Sequence, residues 1–386
     1  MKNLTKKPEF IYLALIIILG GAVYLNIIPN DFVWDDISQV VENLFIRDWH
    51  NLPLLFGSGT FYSGEAKPSG AFYRPLVSAF YLISYYLFGL KSFGFHLFQI
   101  FFHLATAVLL FFVLNRILSS GGIKHAKEIS FLSSVIFVIH PANVESVAFV
   151  GSIGEILYAF FGLLSLLFLI FGLDAENKII KNKPLFLSFL FALFSLLSKE
   201  TGIVVLAVSF LYLLLIFRPR PNQYLKWFFG GATTLGIYCV MRLQVARLFL
   251  FKGADSPLAQ ASLFERFLTI PYEIFSYFKI IFFPLRLFTY RYFVVFSPKD
   301  FRFFGSLIFL ASFFLFTIFF IWKRKAKIHF FFLAWFFVCL IPALNIVPLA
   351  MSAAERWLYF PIIGIIVPTF LFLAEIFEKI RGRKKT

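Results

Sequence analysis

The chain has 386 residues, of which 60% are hydrophobic and only 15% are charged. A water-soluble domain carries charge on about a quarter of its residues, so this composition excludes a soluble globular protein and predicts an integral membrane protein. The net charge of +16 suits nucleic acid or anionic lipid as a partner, and the placement of the basic residues in short clusters between apolar stretches favours lipid. No nucleic-acid partner is expected.

Long apolar stretches predict membrane-spanning helices. Two further apolar segments, 72–90 and 268–285, are predicted to lie in the outer interface or to re-enter, since counting either as a crossing would place a basic cluster outside. The predicted fold class is an all-α polytopic membrane protein with about ten to twelve crossings, forming one domain over residues 1–386. The predicted spans lie near 10–29, 95–116, 128–140, 153–173, 184–198, 200–217, 226–248, 302–322, 329–345 and 357–378.

The basic residues predict the orientation of these helices. The first apolar run, from Ile11 to Ile28, is longer than the core of a signal peptide and has no small-residue cleavage site, so it is interpreted as an uncleaved spanning helix. Short loops rich in Lys and Arg stay in the cytoplasm, which predicts two cytoplasmic termini and places the remaining loops outside. The six clusters lie within 2–7, 116–127, 178–183, 218–226, 323–327 and 379–385.

The predicted outer loops contain the ionisable residues that break the apolar pattern. The first outer loop is 30–94 and the second long one is 249–301. Between residues 30 and 70 the first loop has six acids against two bases, the reverse of the balance in the whole chain. An ionisable residue at a membrane edge costs several kcal/mol unless it is paired or hydrated, so each one is a candidate functional residue.

Three candidates lie in the first outer loop. Asp35 and Asp36 are adjacent carboxylates just above the membrane, which suits a general base or a divalent-cation ligand, although helix capping is an equally common role. Adjacent side chains on a helix point about 100° apart, so one would act as the base while the other orients a partner. Arg74, beside Pro75, either clamps a phosphate or snorkels to lipid headgroups.

Other candidates lie in three short outer turns. A lone His or Glu is more often structural, and Lys199 and Glu200 either pair with one another or leave Lys199 to hold an anion. These candidates are His140, Glu145, Lys199, Glu200, Glu355 and Arg356.

A polar stripe on one apolar helix is given a structural interpretation. His96 and His103 share a face with Gln99 between them, but their spacing of seven residues places them about 10 Å apart, too far for one metal ion. The stripe is therefore predicted to pack against neighbouring helices.

The acids and bases fall together on the predicted outer side, which fits an enzyme working at the outer leaflet. A transporter is expected to place charges in mid-helix and to show paired repeats with broken helices. Two alternatives remain open: a transporter or flippase for lipid-linked sugars, and an assembly factor that keeps the fold without the chemistry.

The order of several motifs resembles a known family. VWDD, the VxxN of Val40 to Asn43, FYRPL, FHLFQIFFH, HPANVESV, LSKETG and AERWLYFP occur in this order between about Phe32 and Pro361. This order is similar to the membrane part of the TMTC-type O-mannosyltransferases and their bacterial relatives, within the GT-C glycosyltransferase superfamily. The resemblance implies a GT-C-type helix bundle with interfacial helices after the catalytic acid, a polyprenyl-phosphate sugar donor, and inverting transfer of a mannose-like hexose to a hydroxyl.

The resemblance also implies roles for residues at matching positions. Asp35 is expected to deprotonate the acceptor, with Asp36 in support or the reverse. Arg74, Lys199 and Arg356 are expected to offer positive charge to the departing lipid phosphate. Glu145 matches an acidic position that binds a divalent metal in some branches of the superfamily; no other cofactor is expected.

The acceptor is left open by the same comparison. TMTC-type proteins usually continue into tetratricopeptide repeats that engage the acceptor, whereas this chain stops at RGRKKT. Protein, lipid and envelope glycan all remain candidate acceptors, and a bacterial plasma (inner) membrane is the expected location.

Overall fold

Helices make up nearly all of the regular structure in the computed structural model, which describes residues 8–60, 72–174, 176–245, 257–324 and 327–383. Backbone surrounded by lipid must satisfy its own hydrogen bonds, and long apolar runs therefore fold as helices. The α-helices are α1 (Pro8–Tyr24), α2 (Leu52–Phe56), α3 (Pro75–Phe88), α4 (Ser92–Ser120), α5 (Ala126–Ile139), α6 (Val144–Ala148), α7 (Ile153–Phe171), α8 (Asn182–Ser198), α9 (Ile203–Tyr212), α10 (Pro221–Val240), α11 (Pro257–Gln260), α12 (Leu263–Phe282), α13 (Phe301–Arg324), α14 (Lys327–Leu340) and α15 (Ile363–Arg383).

Short 3-10 or π-helical turns and one hairpin complete the described structure. The two-residue strands β1 (Leu173–Asp174) and β2 (Ile179–Ile180) pair in an antiparallel hairpin between α7 and α8. The turns are Leu25–Ile27, Ile37–Val41, Leu44–Arg47, Trp49–Asn51, Pro141–Asn143, Val150–Ser152, Glu200–Gly202, Leu213–Phe217, Met241–Val245, Ile341–Ala343 and Glu355–Leu358.

The predicted all-α polytopic membrane fold is confirmed. Within the described ranges, five helices are long and apolar enough to cross a membrane, and a sixth results if the pair α5 and Pro141–Ala148, bent by 52°, is one span. Other helices at the predicted positions are shorter or carry polar ends, so ten to twelve crossings stay a prediction. The five are Glu9–Ile27, Ser92–Ser120, Val150–Phe171, Glu200–Phe217 and Phe301–Phe319.

The two segments excluded from the predicted spans also form helices. Helix α3 has 14 residues, so it is about 21 Å long, shorter than the roughly 30 Å hydrocarbon core of a bilayer. Helix α12 is 20 residues long but is not among the helices apolar enough to span. Their placement in the outer interface stays a prediction.

Close packing at the junction of α7, α8 and α9 positions several candidate residues. A Cβ on Gly154 would lie 3.2 Å from the carbonyl oxygen of Ser198, and one on Gly202 would lie 2.5 Å from the carbonyl carbon of Ser195. Only glycine permits backbones to approach this closely. Lys199 directly follows Ser198 at the end of α8, so this close packing brings it next to the start of α7.

Basic clusters from different parts of the sequence meet at one end of the bundle. Nζ of Lys127 lies 2.7 Å from Oε1 of Glu9 at the start of α1. Nζ of Lys124 lies 2.9 Å from Oε1 of Glu378 near the end of α15. Helix α1 leads from this end towards Asp36, so the acids and the basic clusters lie at opposite ends. Cluster members within 1–7, 325–326 and 384–386 lie outside the described residues.

Candidate active site

The adjacent carboxylates of the VWDD motif have different environments. Asp36 is buried, and its two oxygens accept hydrogen bonds from the backbone N–H of Val33 (3.1 Å) and of Gly151 (2.6 Å). Asp35 is exposed, and its carboxylate has no hydrogen-bond partner among the described residues. The Asp36 carboxylate thus joins the first outer loop to the turn before α7 through hydrogen bonds, whereas the Asp35 carboxylate is accessible to a substrate.

The pKa of Asp36 reflects this buried position. Burial raises the pKa of Asp36 to about 6, although the hydrogen bonds from Val33 and Gly151 favour the charged carboxylate. At neutral pH the group is mostly ionised and can accept both N–H groups. Protonation of the Asp36 carboxylate would weaken its ability to accept these two hydrogen bonds and so weaken the connection between the loop and the turn before α7.

Helix α3 joins the same turn. The hydroxyl of Tyr81 donates to Oε1 of Gln39 at 3.0 Å and lies 3.4 Å from the carbonyl oxygen of Val150. Tyr81 and Gln39 are both buried. The loop before Asp35, helix α3 and the start of α7 therefore form one connected wall.

Trp34, immediately before the two acids, has a strained backbone. Its φ of 49° lies in the left-handed region, which is costly for a bulky side chain and is found mainly at functional sites. Its ring is half exposed and makes edge contacts with Phe149 and Tyr290, each at a centroid distance of 5.7 Å. The strained turn thus presents Asp35 beside an aromatic surface.

A cavity of about 620 Å³ opens next to this surface. Its wall combines carboxylates from three distant segments, Asp31, Glu145 and Glu355, with the rings of Trp34 and Phe149. This volume is within the range of pockets that bind small molecules.

Two of the cavity's carboxylates are held by arginines. Glu145 accepts from the backbone N–H of Arg356 at 2.9 Å and from its guanidinium. Oε1 of Glu355 accepts from the backbone N–H of Phe288 at 2.9 Å and from Nη2 of Arg291 at 2.8 Å. Sequence reasoning missed Arg291, because nothing distinguishes it from the other arginines of the second outer loop.

A second charged group lies on the side of α3, α9 and α10. Nε and Nη2 of Arg74 both lie 3.0 Å from Oε2 of Glu200, and Nη1 of Arg242 lies 3.8 Å from Oε1 of the same carboxylate. Nη1 of Arg242 also donates to the Tyr238 hydroxyl at 3.2 Å. Arg242 was absent from the predicted site, although an arginine near the end of an apolar stretch was the available signal.

Lys199 and Glu200 take different partners instead of pairing with one another. The ammonium of Lys199 forms a buried ion pair with Glu155, which is 3% exposed. Arg74 and Arg356 both lie close enough to Lys199 for their charges to act on it. The side chain of Lys199 is therefore committed to a carboxylate inside the bundle.

His140 and His103 have structural partners. His140 accepts from the backbone N–H of Ala142 through Nδ1, and its Nε2 lies 3.0 Å from the carbonyl oxygen of Ile281, so both ring nitrogens are in use. In the predicted packing stripe, His103 lies 2.7 Å from the Tyr359 hydroxyl and 3.0 Å from the carbonyl oxygen of Val138, and Gln99 donates to the carbonyl oxygen of Phe149. His96 is buried, and its ring nitrogens make no hydrogen bond among the described residues.

Several curated proteins have sequences similar to this chain. The chain is 29% identical over 199 residues to protein O-mannosyl-transferase F38B6.6 of Caenorhabditis elegans, which is 51% of this chain and 27% of that protein. It is 29% identical over 282 residues to human protein O-mannosyl-transferase TMTC2, which is 66% of this chain and 32% of that protein. It is 30% identical over 207 residues to human protein O-mannosyl-transferase TMTC4, which is 48% of this chain and 27% of that protein. The chain is a homologue of the TMTC-type protein O-mannosyl-transferases.

The predicted resemblance to the TMTC type is thereby confirmed. The matched region spans about a third or less of the length of these curated relatives. No family model matches the chain, and no solved structure matches it either.

The site residues do not fit the divalent metal bound in some branches of the superfamily. Both oxygens of Glu145 already accept hydrogen bonds from Arg356. Over the described ranges, no group of three or more His, Cys, Asp or Glu side chains is arranged to hold a metal ion. A guanidinium occupies the position where a cation would meet this carboxylate.

A buried carboxyl supports the loop that carries Arg356. Glu273 of α12 is fully buried, and its Oε1 accepts from Nδ2 of Asn345 at 2.8 Å. Asn345, with a φ of 50°, also donates to the carbonyl oxygen of Ser352 at 2.9 Å. Burial raises the pKa of Glu273 to about 8, so this carboxyl is mostly protonated at neutral pH.

Glu273 predicts a specific dependence of stability on pH. The folded protein keeps the Glu273 proton up to about pH 8, whereas the unfolded chain releases it near the ordinary pKa of 4.5. The free energy of unfolding should therefore fall as pH rises between these values, by at most about 1.4 kcal/mol per pH unit from this group. Unfolding measured from pH 6.5 to 8, above the pKa of Asp36, should show a shallower fall in Glu273→Gln.

Glu176→Gln provides the control for this measurement. Glu176 is exposed in the β1–β2 hairpin, so its replacement should leave the slope unchanged. An equal slope in the wild type and Glu273→Gln would show that Glu273 is not the responsible proton.

Proposed function

We propose that this chain is a membrane glycosyltransferase that moves a mannose-like hexose from a polyprenyl phosphate to an acceptor hydroxyl, with inversion. The observation that carries the proposal is a site with two electrostatically different sides. An accessible carboxylate, Asp35, adjoins an acidic cavity on one side, and two guanidiniums that share Glu200 lie on the other. The names of the homologous protein O-mannosyl-transferases support the same class of reaction.

The acidic side suits activation of the acceptor. Asp35 is exposed and is adjacent to Trp34, which lines the cavity. Asp36 is held by two backbone N–H groups and fixes the turn, so it acts as a positioning residue. In this proposal Asp35 takes the acceptor proton as general base.

The basic side suits the departing phosphate. Arg74 and Arg242 together bring two guanidinium groups to one carboxylate, Glu200. The two other predicted cations, Lys199 and Arg356, are each paired with a carboxylate, Glu155 and Glu145. Fixed cations in a site of low dielectric stabilise a leaving anion without reorganisation.

The proposed reaction uses both sides together. The hydroxyl of Tyr81 lies within electrostatic range of Asp36, Asp35 and Arg74. The acceptor oxygen would attack the anomeric carbon as Asp35 takes its proton, while the bond from that carbon to the phosphate oxygen breaks. The electron pair of the broken bond leaves with the polyprenyl phosphate beside Arg74, and attack from the opposite face inverts the configuration.

The location completes the proposal. The acids and the basic clusters lie at opposite ends of the bundle, and the positive-inside rule favours a cytoplasmic basic end. We therefore place both termini in the cytoplasm of a bacterial cell and the site at the outer face of its plasma membrane.

A panel of radiolabelled polyprenyl-phosphate monosaccharides tests the function. The detergent-solubilised protein should release sugar from one donor to water or an added acceptor. Arg74→Ala should lower kcat/KM for this donor by about 10- to 100-fold, since a hydrogen bond to a charged group contributes about 1.5–3 kcal/mol. The matched control is Arg47→Ala, which removes an exposed guanidinium of the first outer loop and should leave kcat/KM unchanged.

Two outcomes would count against this proposal. Binding of the donors without release of sugar would favour a transporter or an assembly factor for lipid-linked sugars. An equal loss in Arg74→Ala and Arg47→Ala would remove Arg74 from the phosphate site.

A further inference from the structure

The cavity beside Asp35 has more negative than positive charge. Of its three carboxylates, Glu145 is paired with Arg356 and Glu355 with Arg291. Asp31 is exposed and forms no ion pair among the described residues. Asp31 therefore remains as an excess negative charge, to which the adjacent Asp35 adds a second.

Glu355 has an unused acceptor at the cavity wall. Its side chain is more than nine-tenths buried, and its hydrogen bonds from Phe288 and Arg291 all reach Oε1. Oε2 has no hydrogen-bond partner in the described structure. This oxygen can therefore accept a hydrogen bond from a ligand, and a hydrogen bond to a charged carboxylate is stronger than one between neutral groups.

The rest of the wall also favours a cation. Trp34, Phe149 and Phe288 line the cavity, and the faces of aromatic rings attract ammonium and guanidinium groups. The chain already contains such a contact, because the guanidinium of Arg291 lies 5.2 Å from the ring centroid of Phe288.

The same charge excludes the donor's phosphate from the cavity. An anion placed near Asp31 and Asp35 would be repelled, whereas the guanidinium groups of Arg74 and Arg242 belong to the other side of the proposed site. Given the proposed function, the cavity is therefore left for the acceptor. A volume of about 620 Å³ has room for a few side chains.

We propose that the cavity binds a basic peptide acceptor, a Ser or Thr with Lys or Arg beside it. This inference rests on the proposed glycosyl transfer. The hydroxyl would meet Asp35, while the neighbouring cation would lie among Asp31, Oε2 of Glu355 and the ring of Trp34. A short peptide supplies a hydroxyl and a cation at this small separation, and Asp or Glu beside the hydroxyl would be rejected.

Three peptides of equal length test the preference. Each has one Thr in an Ala-rich sequence, flanked by Lys, by Ala or by Glu, and a fluorescent label reports binding to the full detergent-solubilised chain. The Lys peptide should bind at least 10-fold more tightly than the Ala peptide, and the Glu peptide more weakly than either. Asp31→Asn should reduce the preference for Lys to about 3-fold or less.

Glu176→Gln is the matched control, because it removes one exposed acid from the hairpin at the opposite end of α7. It should leave all three dissociation constants unchanged. Equal binding of the three peptides, or an unchanged preference in Asp31→Asn, would overturn the inference. Tighter binding of an aminated glycan than of the Lys peptide would overturn its commitment to a peptide.

Donor hydrolysis separates this inference from the proposed function. Release of sugar to water without a peptide reports on the transferase alone. Hydrolysis without any preference for the Lys peptide would overturn only the inference about the acceptor. Preference for the Lys peptide without turnover of any donor would support the charge selectivity of the cavity and count against the transferase.

Discussion

Asp35→Asn is expected to abolish sugar transfer while leaving the fold intact. The Asp35 carboxylate is exposed and makes no hydrogen bond within the described structure, so Asn preserves the shape and removes only the base. General bases contribute about 100- to 10,000-fold to rate. The rate of transfer should fall by this factor, and the free energy of unfolding should stay within about 0.5 kcal/mol of the wild type.

Two variants make this result specific. Glu42→Gln removes another exposed acid of the same loop and should retain full activity. Asp36→Asn should instead destabilise the protein, since an amide offers one oxygen to the two N–H groups of Val33 and Gly151. Full activity in Asp35→Asn would refute its role. Loss of activity without loss of stability in Asp36→Asn would reverse the two assignments.

Among the single substitutions proposed, Lys199→Met is expected to cause the largest decrease in the free energy of unfolding. Glu155 is 3% exposed and would remain buried without its partner. Removing one member of a buried ion pair costs about 3–5 kcal/mol, whereas replacing both members is often nearly neutral. Unfolding measurements should show this loss in the single variant and recovery of most of it in Lys199→Met combined with Glu155→Gln.

The double variant also separates two roles for Lys199. The family resemblance implies that this residue faces the lipid phosphate, whereas in the structure its ammonium is paired with Glu155. A purely positioning role predicts that the double variant regains the wild-type KM for the donor together with stability. A KM that stays high in a restored fold would instead show that the ammonium binds the phosphate.

The helices could be predicted because lipid leaves the backbone few alternatives. Every predicted span contains a helix, and the segments 72–90 and 268–285 contain α3 and α12. The ends were less predictable. Helix α4 runs from Ser92 to Ser120, beyond the predicted 95–116, because helix ends depend on local capping and on tertiary contacts and not on hydropathy.

The sequence predicts that the candidate residues share one end of the bundle, but it does not predict how they pair. Charge placement brought Asp35, Arg74 and Arg356 to one end of the bundle before any contact was known. The partners of Arg356 and Lys199 are 211 and 44 residues away in sequence, at Glu145 and Glu155. Such pairs depend on how the helices pack, and a single sequence does not specify that. The backbone N–H of Gly151 that holds Asp36 has no sequence signal at all.

The pairing of Glu145 with Arg356 has a consequence for biosynthesis. The ribosome makes Glu145 some 211 residues before Arg356, an interval of roughly 10 to 40 s at 5–20 residues per second. During this time the carboxylate stands at a membrane edge without its guanidinium. The acidic cavity is therefore completed late in synthesis, after most of the helices have been made, and a nascent chain lacks its full lining until the last helices follow.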